Sequence, residues 1–515
     1  MSNSVLATFT NYQKSRIQFV QSLAELSKRK ENFEDITSLG GLLLLRPLIT
    51  DVVPSIAQTA CIALGRLAAE SAEIATNIVQ LDILPHIVQS MSDQSRLFKK
   101  CASFVLRSVA RHNADLGRAI IEHDGLTAIS HVLDDHDPGV KEAGCWALSY
   151  ISKHNEELAG AVADVISLER IIDCVKEPEI SLKRIAVNCL TQIAKQGEDL
   201  AKRVATKETG LMAHLCPMID NPDVLLRRQA LACLAQIASG KQELAEQIVK
   251  TISLEKLMKL FQEEDVLVKV NAVELTKNLM KHSAEIAKLM SNAQAEKHLV
   301  RFLSECPAEA REGVLETLIV IASFNETLAN NLLGCSADEV VLDILRNSQD
   351  PKTRNLCIQF LGAVSQNSGD QSGAVGQTGG LSYLLGLLTT KGGKGAHDKE
   401  VLRSISNIIK NYKDISSLLQ LIRTPNLPLS VLAILCKRIA VFIQADAGAK
   451  KAFAAQRGLE TIWDIKKKLD PSEQGLGGVL DDICNQYPDE LVRLFNPDYP
   501  AMVIRKMTDY NSIEK

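Results

Sequence analysis

The sequence predicts an all-α protein built from stacked helical repeats. An amphipathic helix with clear start and stop signals recurs at a fixed spacing along most of the chain. Hydrophobic residues make up 46% of the 515 residues and aromatic residues only 4%, which suits helices packed through Leu, Ile, Val and Ala. One short repeat cannot bury its own apolar face, so neighbouring repeats are expected to stack and share a continuous core.

The clearest copy of the repeat lies at residues 137–155. Asp137 can cap a helix N terminus, and Pro138 at the first helical position loses no useful N–H. Apolar residues then follow with the period of an α-helix, at Val140, Ala143, Ala147, Leu148 and Ile151. These features predict one long helix with one buried face.

The same pattern returns about every 42 residues. Its anchor residues are Leu67, Val109, Ile151, Ile193, Ile237, Leu279, Ile321, Val364 and Ile408. A period in the low forties with several short helices per unit is typical of armadillo and HEAT repeats. We therefore predict an armadillo/HEAT-type right-handed superhelical solenoid of about nine to ten three-helix repeats with terminal caps.

The repeats divide the chain into three predicted parts: an N-terminal helical cap (1–32), the solenoid (33–470) and a non-repeat tail (471–515). The cap would bury an apolar set of Phe9, Ile17, Val20, Leu23 and Leu26. Two glycine-rich stretches, 367–380 and 389–398, are predicted to be loops, and 470–478 a hinge. The apolar tail residues would either cover the open end of the last repeat or dock on another molecule.

Composition argues against several function classes. The net charge is −4, so nothing in the overall balance implies attraction to nucleic acid or to a membrane. The twelve cysteines include no CxxC pair, and Cys189 and Cys233 share one repeat position, which indicates core packing in a reducing compartment. The first ten residues lack a signal-peptide pattern, so a soluble intracellular protein is expected.

No catalytic or metal-binding pattern stands out. Lys394 lies among glycines, but the spacing of a phosphate-binding loop is absent. His112, His154 and His282 share a repeat position at a helix C terminus, where capping explains them without a ligand. We expect no enzyme activity, no cofactor and no metal site.

Armadillo proteins line their concave groove with the long third helix of each repeat, and the nuclear-import adaptors carry a Trp/Asn array there. In this chain only Trp146 supplies a tryptophan on that helix, with Tyr150 four residues later, so the import-adaptor array is absent. Gln192, Gln236 and Asn278 form a polar row that either bonds a partner's backbone or is simply solvated.

Three segments outside the generic repeat carry a closer resemblance. They are Tyr12–Val20, Asp51–Ala68 and a tail that contains Cys484–Arg493 and Asn496–Tyr499. Together they resemble the sperm-associated-antigen armadillo family of the ciliary central pair, which is also known from paralysed-flagella mutants.

The resemblance implies a non-enzymatic scaffold of the axonemal central apparatus, located in the cytoskeleton of the cilium or flagellum. Its partners would be the central-pair microtubule and other central-apparatus proteins, with no nucleic acid and no membrane, and self-association stays open. Candidate partner-binding residues are Trp146, Tyr150, Gln192, Gln236 and Asn278, with Tyr487 and Arg493 in the tail. The alternative is a cytosolic adaptor or transport receptor that binds extended peptides in its groove.

Overall fold

A computed structural model describes residues 2–92, 95–206, 209–390, 398–425, 427–469, 474–495 and 499. Within these ranges the regular structure is helical, without strands, so the predicted all-α class is confirmed. The chain divides into two compact units, Met1–Ile286 and Ala287–Lys515, and the boundary falls inside one helix.

The first unit contains short and long helices in alternation. In chain order they are α1 Ser2–Leu26, α2 Phe33–Ser38, α3 Gly41–Leu45, α4 Pro54–Glu70, α5 Ala72–Gln80, α6 Ile83–Ser90, α7 Arg96–Ala110, α8 Ala114–Glu122, α9 Gly125–Leu133, α10 Pro138–Ser152, α11 Glu156–Val165, α12 Leu168–Lys176, α13 Ile180–Lys195, α14 Glu198–Val204, α15 Leu211–Leu215, α16 Val224–Ser239, α17 Gln242–Thr251, α18 Leu254–Lys259 and α19 Val266–Met280. Short 3₁₀ turns at Lys30–Asn32, Arg46–Leu48, Cys216–Asp220 and Leu260–Gln262 extend or precede some of them.

The second unit repeats the arrangement. The boundary helix is α20 Ala284–Asn292, followed by α21 Ala295–Glu305, α22 Ala308–Phe324, α23 Glu326–Gly334, α24 Ala337–Asn347, α25 Pro351–Val364, α26 Gly369–Gln377, α27 Gly380–Thr390, α28 Asp398–Asn411, α29 Ile415–Ile422, α30 Leu429–Ala445, α31 Ala447–Ala455, α32 Gly458–Lys468, α33 Gln474–Asn485 and α34 Asp489–Leu494. In this unit α22, α25, α28, α30 and α33 contact one another in succession.

Stacked long helices form the core of the first unit. Helices α4, α7, α10, α13, α16 and α19, which we call the third-helix row, each pack on the next. Helix α10 shows why the sequence folds this way: Asp137 accepts hydrogen bonds from the N–H groups of Gly139 and Val140, and Leu148 and Ile151 are fully buried. The predicted cap and apolar face are confirmed.

Ion pairs between neighbouring long helices reinforce the stack. A basic residue in the first turns of one helix contacts a carboxylate just before the next, as in Lys100–Asp137, Lys141–Glu177, Arg184–Asp223 and Arg228–Asp265. The carboxylates of Asp223 and Asp265 also accept the N–H groups of Leu226 and Val268, so each one caps its own helix. One side chain thereby joins two repeats and starts the second helix.

These capping carboxylates predict how stability depends on pH. The hydrogen bond from Arg184 lowers the pKa of Asp223, and that from Arg228 lowers the pKa of Asp265. The unfolded-state value is about 3.9, so their contribution is fully present above that pH and is lost as the pH falls through the lower folded value. Each partly exposed pair is expected to contribute about 1 kcal/mol or less at neutral pH.

The test compares urea unfolding of the native chain and of the Asp223→Asn/Asp265→Asn variant at several pH values. Asparagine keeps the capping oxygen, so the change removes mainly the charge pair. We expect the variant to be less stable at pH 7 and to lose less stability than the native chain between about pH 4 and pH 2. Parallel curves for the two proteins would contradict the assignment.

The glycine-rich stretch 367–380 is largely helical, so the predicted loop is wrong. Ser368 caps α26, and the side chains of Gln371 and Ser372 are fully buried. A Cβ atom on Gly376 would overlap the hydroxyl of Tyr412, so glycine serves close packing there rather than flexibility. The second predicted loop has its central residues 391–397 outside the described ranges, while its edges belong to α27 and α28.

Two glycines in this region lead to opposite predictions for the stability of their alanine variants. A Cβ on Gly362 of α25 would lie 2.9 Å from the Cα of Ser404, whereas a Cβ on Gly373 of α26 would meet nothing within 4 Å. Gly362→Ala is therefore expected to destabilise the protein by about 1–3 kcal/mol, because the backbone of α28 must shift. Gly373→Ala is expected to stabilise it by up to about 1 kcal/mol through helix propensity. Thermal unfolding of both variants checks the pair, and equal shifts would show that α25 and α28 are not packed as described.

The two ends of the chain differ in part from expectation. In α1, Val20 is buried, whereas Phe9 in the exposed N-terminal half and Leu26 at the last position of the helix are 56% and 46% exposed. At the other end, Gly475, Gly477 and Gly478 lie inside α33 rather than in a hinge, and residues 470–473 lie outside the described ranges.

Candidate protein-binding surface

The candidate surface is the face of the third-helix row that carries the predicted residues Trp146 and Tyr150. Both side chains lie on α10 and are half-buried. Their rings are stacked, with centroids 6.0 Å apart and planes at 24°. A pair four residues apart on a helix meets in this way because the two positions lie one turn apart on the same face. The structure thus brings the two predicted aromatic residues together.

The preceding helix adds an arginine to this aromatic pair. The guanidinium carbon of Arg107 on α7 lies 5.1 Å from the ring centre of Trp146, 6.0 Å from that of Tyr150 and 5.3 Å from that of Phe104. Such distances over an aromatic face are those of cation–π contacts. The arginine therefore links the aromatic side chains of two repeats.

Phe104 packs against a glycine on the preceding helix of the row. A Cβ atom on Gly65 of α4 would overlap the Phe104 ring, so the ring packs directly on the α4 backbone. Three successive long helices therefore support one cluster. We call Phe104, Arg107, Trp146, Tyr150 and Lys153 the aromatic–cation cluster.

Lys153 closes the cluster at the C-terminal end of α10. Its ammonium nitrogen lies 4.5 Å from the ring centre of Tyr150 and donates a 2.7 Å hydrogen bond to the backbone oxygen of Arg111. Burial, with the nearby charge of Arg111 adding to it, lowers the pKa of this lysine. The lowered pKa means that burial makes the charged form of this lysine less favourable than it is in water.

Gln192 and Gln236, the first two members of the predicted polar row, are half-buried. The amide of Gln192 is within 3.5 Å of the amide oxygen of Asn188, and Asn188 donates a 2.9 Å hydrogen bond to Ser149 on α10. Both glutamine side chains reach the surface, so their role as partner contacts stays a prediction.

Asn278, the third member, has a different environment. It is 4% exposed, and its amide nitrogen donates to the backbone oxygen of Ala235 at 3.0 Å and to Glu274 at 3.2 Å. The first of these bonds joins α19 to α16, and the second lies within α19. A variant that changes Asn278 would therefore alter stability as well as the surface, and Gln192 and Gln236 are the better positions for a binding test.

The two predicted tail residues lie in the second unit and contrast with each other. Tyr487 is 8% exposed, donates a 2.8 Å hydrogen bond to the backbone oxygen of Lys450 and stacks on Phe453 at 6.3 Å. Arg493 on α34 is exposed. The structure thus gives Tyr487 a packing role and leaves the Arg493 side chain accessible.

The histidines predicted as helix caps bond the helix of the preceding repeat. His112, His154 and His282 contact the backbone oxygens of Ala68, Ala110 and Ala238 at 2.6–2.7 Å. Gln196 and, in the second unit, Asn411 and Gln486 do the same with their amides. The three histidines satisfy helix C-terminal carbonyls, as predicted, but across the repeat boundary, whereas the carbonyl of Ala440 that Gln486 contacts lies inside α30. This hydrogen bond recurs along the chain and connects neighbouring repeats.

The described residues offer no cluster of three His, Cys, Asp or Glu side chains that could hold a metal ion. The cysteines are unpaired, and Cys189 and Cys233 are fully buried, in keeping with the predicted core role. Burial raises the pKa of Cys216 to about 11 and that of Cys357 to about 12, so these thiols are protonated at neutral pH. Among the helices that the structure describes, none is long and apolar enough to cross a membrane.

Sequence reasoning found Trp146 and Tyr150 but missed Arg107 and Lys153. A usable signal was present, because Arg107 follows Phe104 by three residues and Lys153 follows Tyr150 by three, a spacing that places side chains together on a helix. The sequence alone does not show which neighbouring helix each cation faces.

The comparisons with known proteins point in one direction. No protein-family model matches the chain. A segment of 98 residues is 51% identical to sperm-associated antigen 6 of Mus musculus and 50% identical to that of Homo sapiens. Each match covers 19% of this chain and 19% of the relative. The resemblance read from the sequence motifs is thus supported by a strong match over about a fifth of the chain.

Among solved structures, the crystal structure of an engineered protein superposes with a TM-score of 0.67 at 20% identity, covering 88% of this chain and 98% of that one. A designed armadillo repeat protein aligns over 46% of this chain with a TM-score of 0.44 and 22% identity. The first of these likenesses establishes the fold. The chain is a helical-repeat protein that carries a 98-residue segment similar to sperm-associated antigen 6.

Proposed function

We propose that this protein is a non-enzymatic scaffold of the axonemal central apparatus. In this role it attaches to a central-pair microtubule, binds further central-apparatus proteins and supports ciliary or flagellar motility. The observation that carries the proposal is the segment about half identical to sperm-associated antigen 6. The identity covers a fifth of each relative, so the axonemal role is inferred from the resemblance as a whole.

The architecture supports a scaffold. Within the first unit, six long helices stack side by side and present repeated, similar surfaces, an arrangement that binds extended partners in repeat proteins. The aromatic–cation cluster has the composition of a binding hot spot, because Trp, Tyr and Arg dominate the energetics of protein interfaces.

The alternative function is a cytosolic adaptor or transport receptor that binds extended peptides on the third-helix row. The half-buried amides of Gln192 and Gln236 favour it, because amides on such a row can bond the backbone of an extended chain. The two functions differ in whether the protein stays with the cytoskeleton.

The test is tagging of the full chain in a ciliated cell, followed by detergent extraction of isolated cilia. A scaffold remains with the extracted axoneme and is lost from axonemes that lack the central pair. An adaptor is released into the detergent-soluble fraction with the cytosol. Release from intact axonemes at physiological salt would contradict the proposed function, and a tagged soluble protein serves as the extraction control.

A further inference from the structure

The aromatic–cation cluster carries cationic groups without carboxylate partners. Arg107 makes no ion pair and no hydrogen bond with any residue that the structure describes, and its contacts are with three aromatic rings. Arg184 and Arg228, in the same row, each bond an aspartate at about 3 Å. Stacking occupies the faces of a guanidinium and leaves its N–H edge available.

A second cation contacts the same aromatic pair. The Lys153 ammonium lies 4.5 Å from the Tyr150 ring centre, and the Arg107 guanidinium carbon lies 6.0 Å from it. Lys153 also lacks an ion pair within the described part of the chain, and its hydrogen bond goes to a backbone oxygen, that of Arg111. Two cations thus share one aromatic ring on a chain whose net charge is −4. Such a local excess of positive charge selects a negatively charged partner.

From this geometry we infer that the cluster binds an acidic segment of a partner protein, with a Glu or Asp carboxylate on the N–H edge of Arg107. A planar guanidinium presents two parallel N–H groups to a carboxylate, and the rings around it exclude water from the pair. The neighbouring Trp146 and Tyr150 faces accept the apolar part of the same segment. This inference names the partner chemistry of the surface in the proposed function and rests on that surface being a binding site.

A nucleic-acid strand fits the cluster less well. Binding to a strand draws on many phosphate contacts in a long basic track. The next long helix of the row offers the neutral side chains of Asn188 and Gln192 instead. The positive charge is therefore local, as suits a short acidic peptide.

The experiment uses the full chain with Trp463→Phe, so that Trp146 is the sole tryptophan and reports on the cluster. The probe is the fluorescein-labelled peptide (Glu-Ala)₅, with (Ser-Ala)₅, (Lys-Ala)₅ and the oligonucleotide dT₁₀ as comparison ligands. We expect (Glu-Ala)₅ to bind and to change the Trp146 emission, whereas the other ligands bind at least about tenfold more weakly.

Two substitutions locate the contact. Arg107→Gln is expected to weaken (Glu-Ala)₅ binding about tenfold or more, and Arg107→Lys to recover only part of it, since lysine lacks the bidentate fork. The matched control is Arg203→Gln. Arg203 is an exposed arginine on α14 that pairs with Asp164, and this variant is expected to bind the peptide as the native chain does. Melting curves confirm that each variant is folded.

Equal binding of (Glu-Ala)₅ and (Ser-Ala)₅, tighter binding of dT₁₀, or native affinity in a folded Arg107→Gln variant would each overturn the inference. Displacement of the labelled peptide by millimolar inorganic phosphate, to the same extent as by unlabelled (Glu-Ala)₅, would overturn it as well. It would show that the cluster is a simple anion site. The assay contains no axonemes, so loss of the protein from extracted axonemes would count against the proposed function alone.

Discussion

Replacement of Leu148 by alanine is expected to lower the free energy of unfolding by about 2–5 kcal/mol. Leu148 lies in the centre of α10 and is fully buried, so the change removes apolar contacts and leaves a cavity between repeats. Because each repeat contacts mainly its neighbours, the loss should be concentrated in α7, α10 and α13. Chemical denaturation gives the total effect, and hydrogen exchange locates it.

The matched control is Leu97→Ala, the same substitution at a residue on α7 that is 60% exposed. This variant is expected to change stability by no more than about 0.5 kcal/mol. A uniform loss of exchange protection throughout the first unit in Leu148→Ala would contradict the nearest-neighbour architecture, even if the total loss agreed.

Ending the chain at Leu469 is expected to cause aggregation or a clear fall in melting temperature. This truncation removes α33, whose Leu480 and Ile483 are fully buried where the helix packs on α30. It also removes the hydrogen bond from Gln486 to the backbone oxygen of Ala440 and the one from Tyr487 to that of Lys450. Exposed apolar surface of this kind promotes association.

A chain that ends at Phe495 is the control for that truncation. It keeps α33 and α34 and removes only residues 496–515, so the difference in melting temperature between the two truncated chains reports on these two helices. A stable, monomeric chain ending at Leu469 that no longer joins the axoneme would show that the tail docks on a partner instead of covering the last repeat. The apolar tail residues predicted from the sequence are Leu480, Ile483, Leu491, Val492, Leu494, Phe495, Met502, Val503 and Met507, and the last three lie outside the described residues.

What the sequence predicted well depends on local spacing. The cap at Asp137, the buried face of α10 and the recurrence of the long helix follow from signals within one helix, and the structure confirms them. The same holds for Cys189 and Cys233, whose shared repeat position placed them in the core.

What the sequence predicted poorly depends on neighbours. Phe9 has the spacing of a buried residue, yet residues 4–12 of α1 are exposed. The glycines at 369–376 predict a loop because helix propensity disfavours them, but the segment is helical, and Gly369 and Gly376 lie against residues 411–413 at the end of α28. His154 was correctly read as a cap, although its carbonyl partner belongs to another repeat.

The candidate surface shows the same division. Trp146 and Tyr150 were identified from their positions on one helix, and the structure stacks them. The contribution of Arg107 depends on the packing of α7 against α10, since its three ring contacts span two repeats.

The central claim, that the third-helix row is the partner surface of a ciliary scaffold, is tested most directly by retention on extracted axonemes. The measurement compares the native chain, an Arg107→Gln/Tyr150→Ala variant on the row and an Arg118→Gln/Arg203→Gln variant on the short helices α8 and α14. We predict that the first variant is released by detergent while the second stays bound as the native chain does. Full retention of the folded Arg107→Gln/Tyr150→Ala variant, or equal release of both variants, would contradict the account.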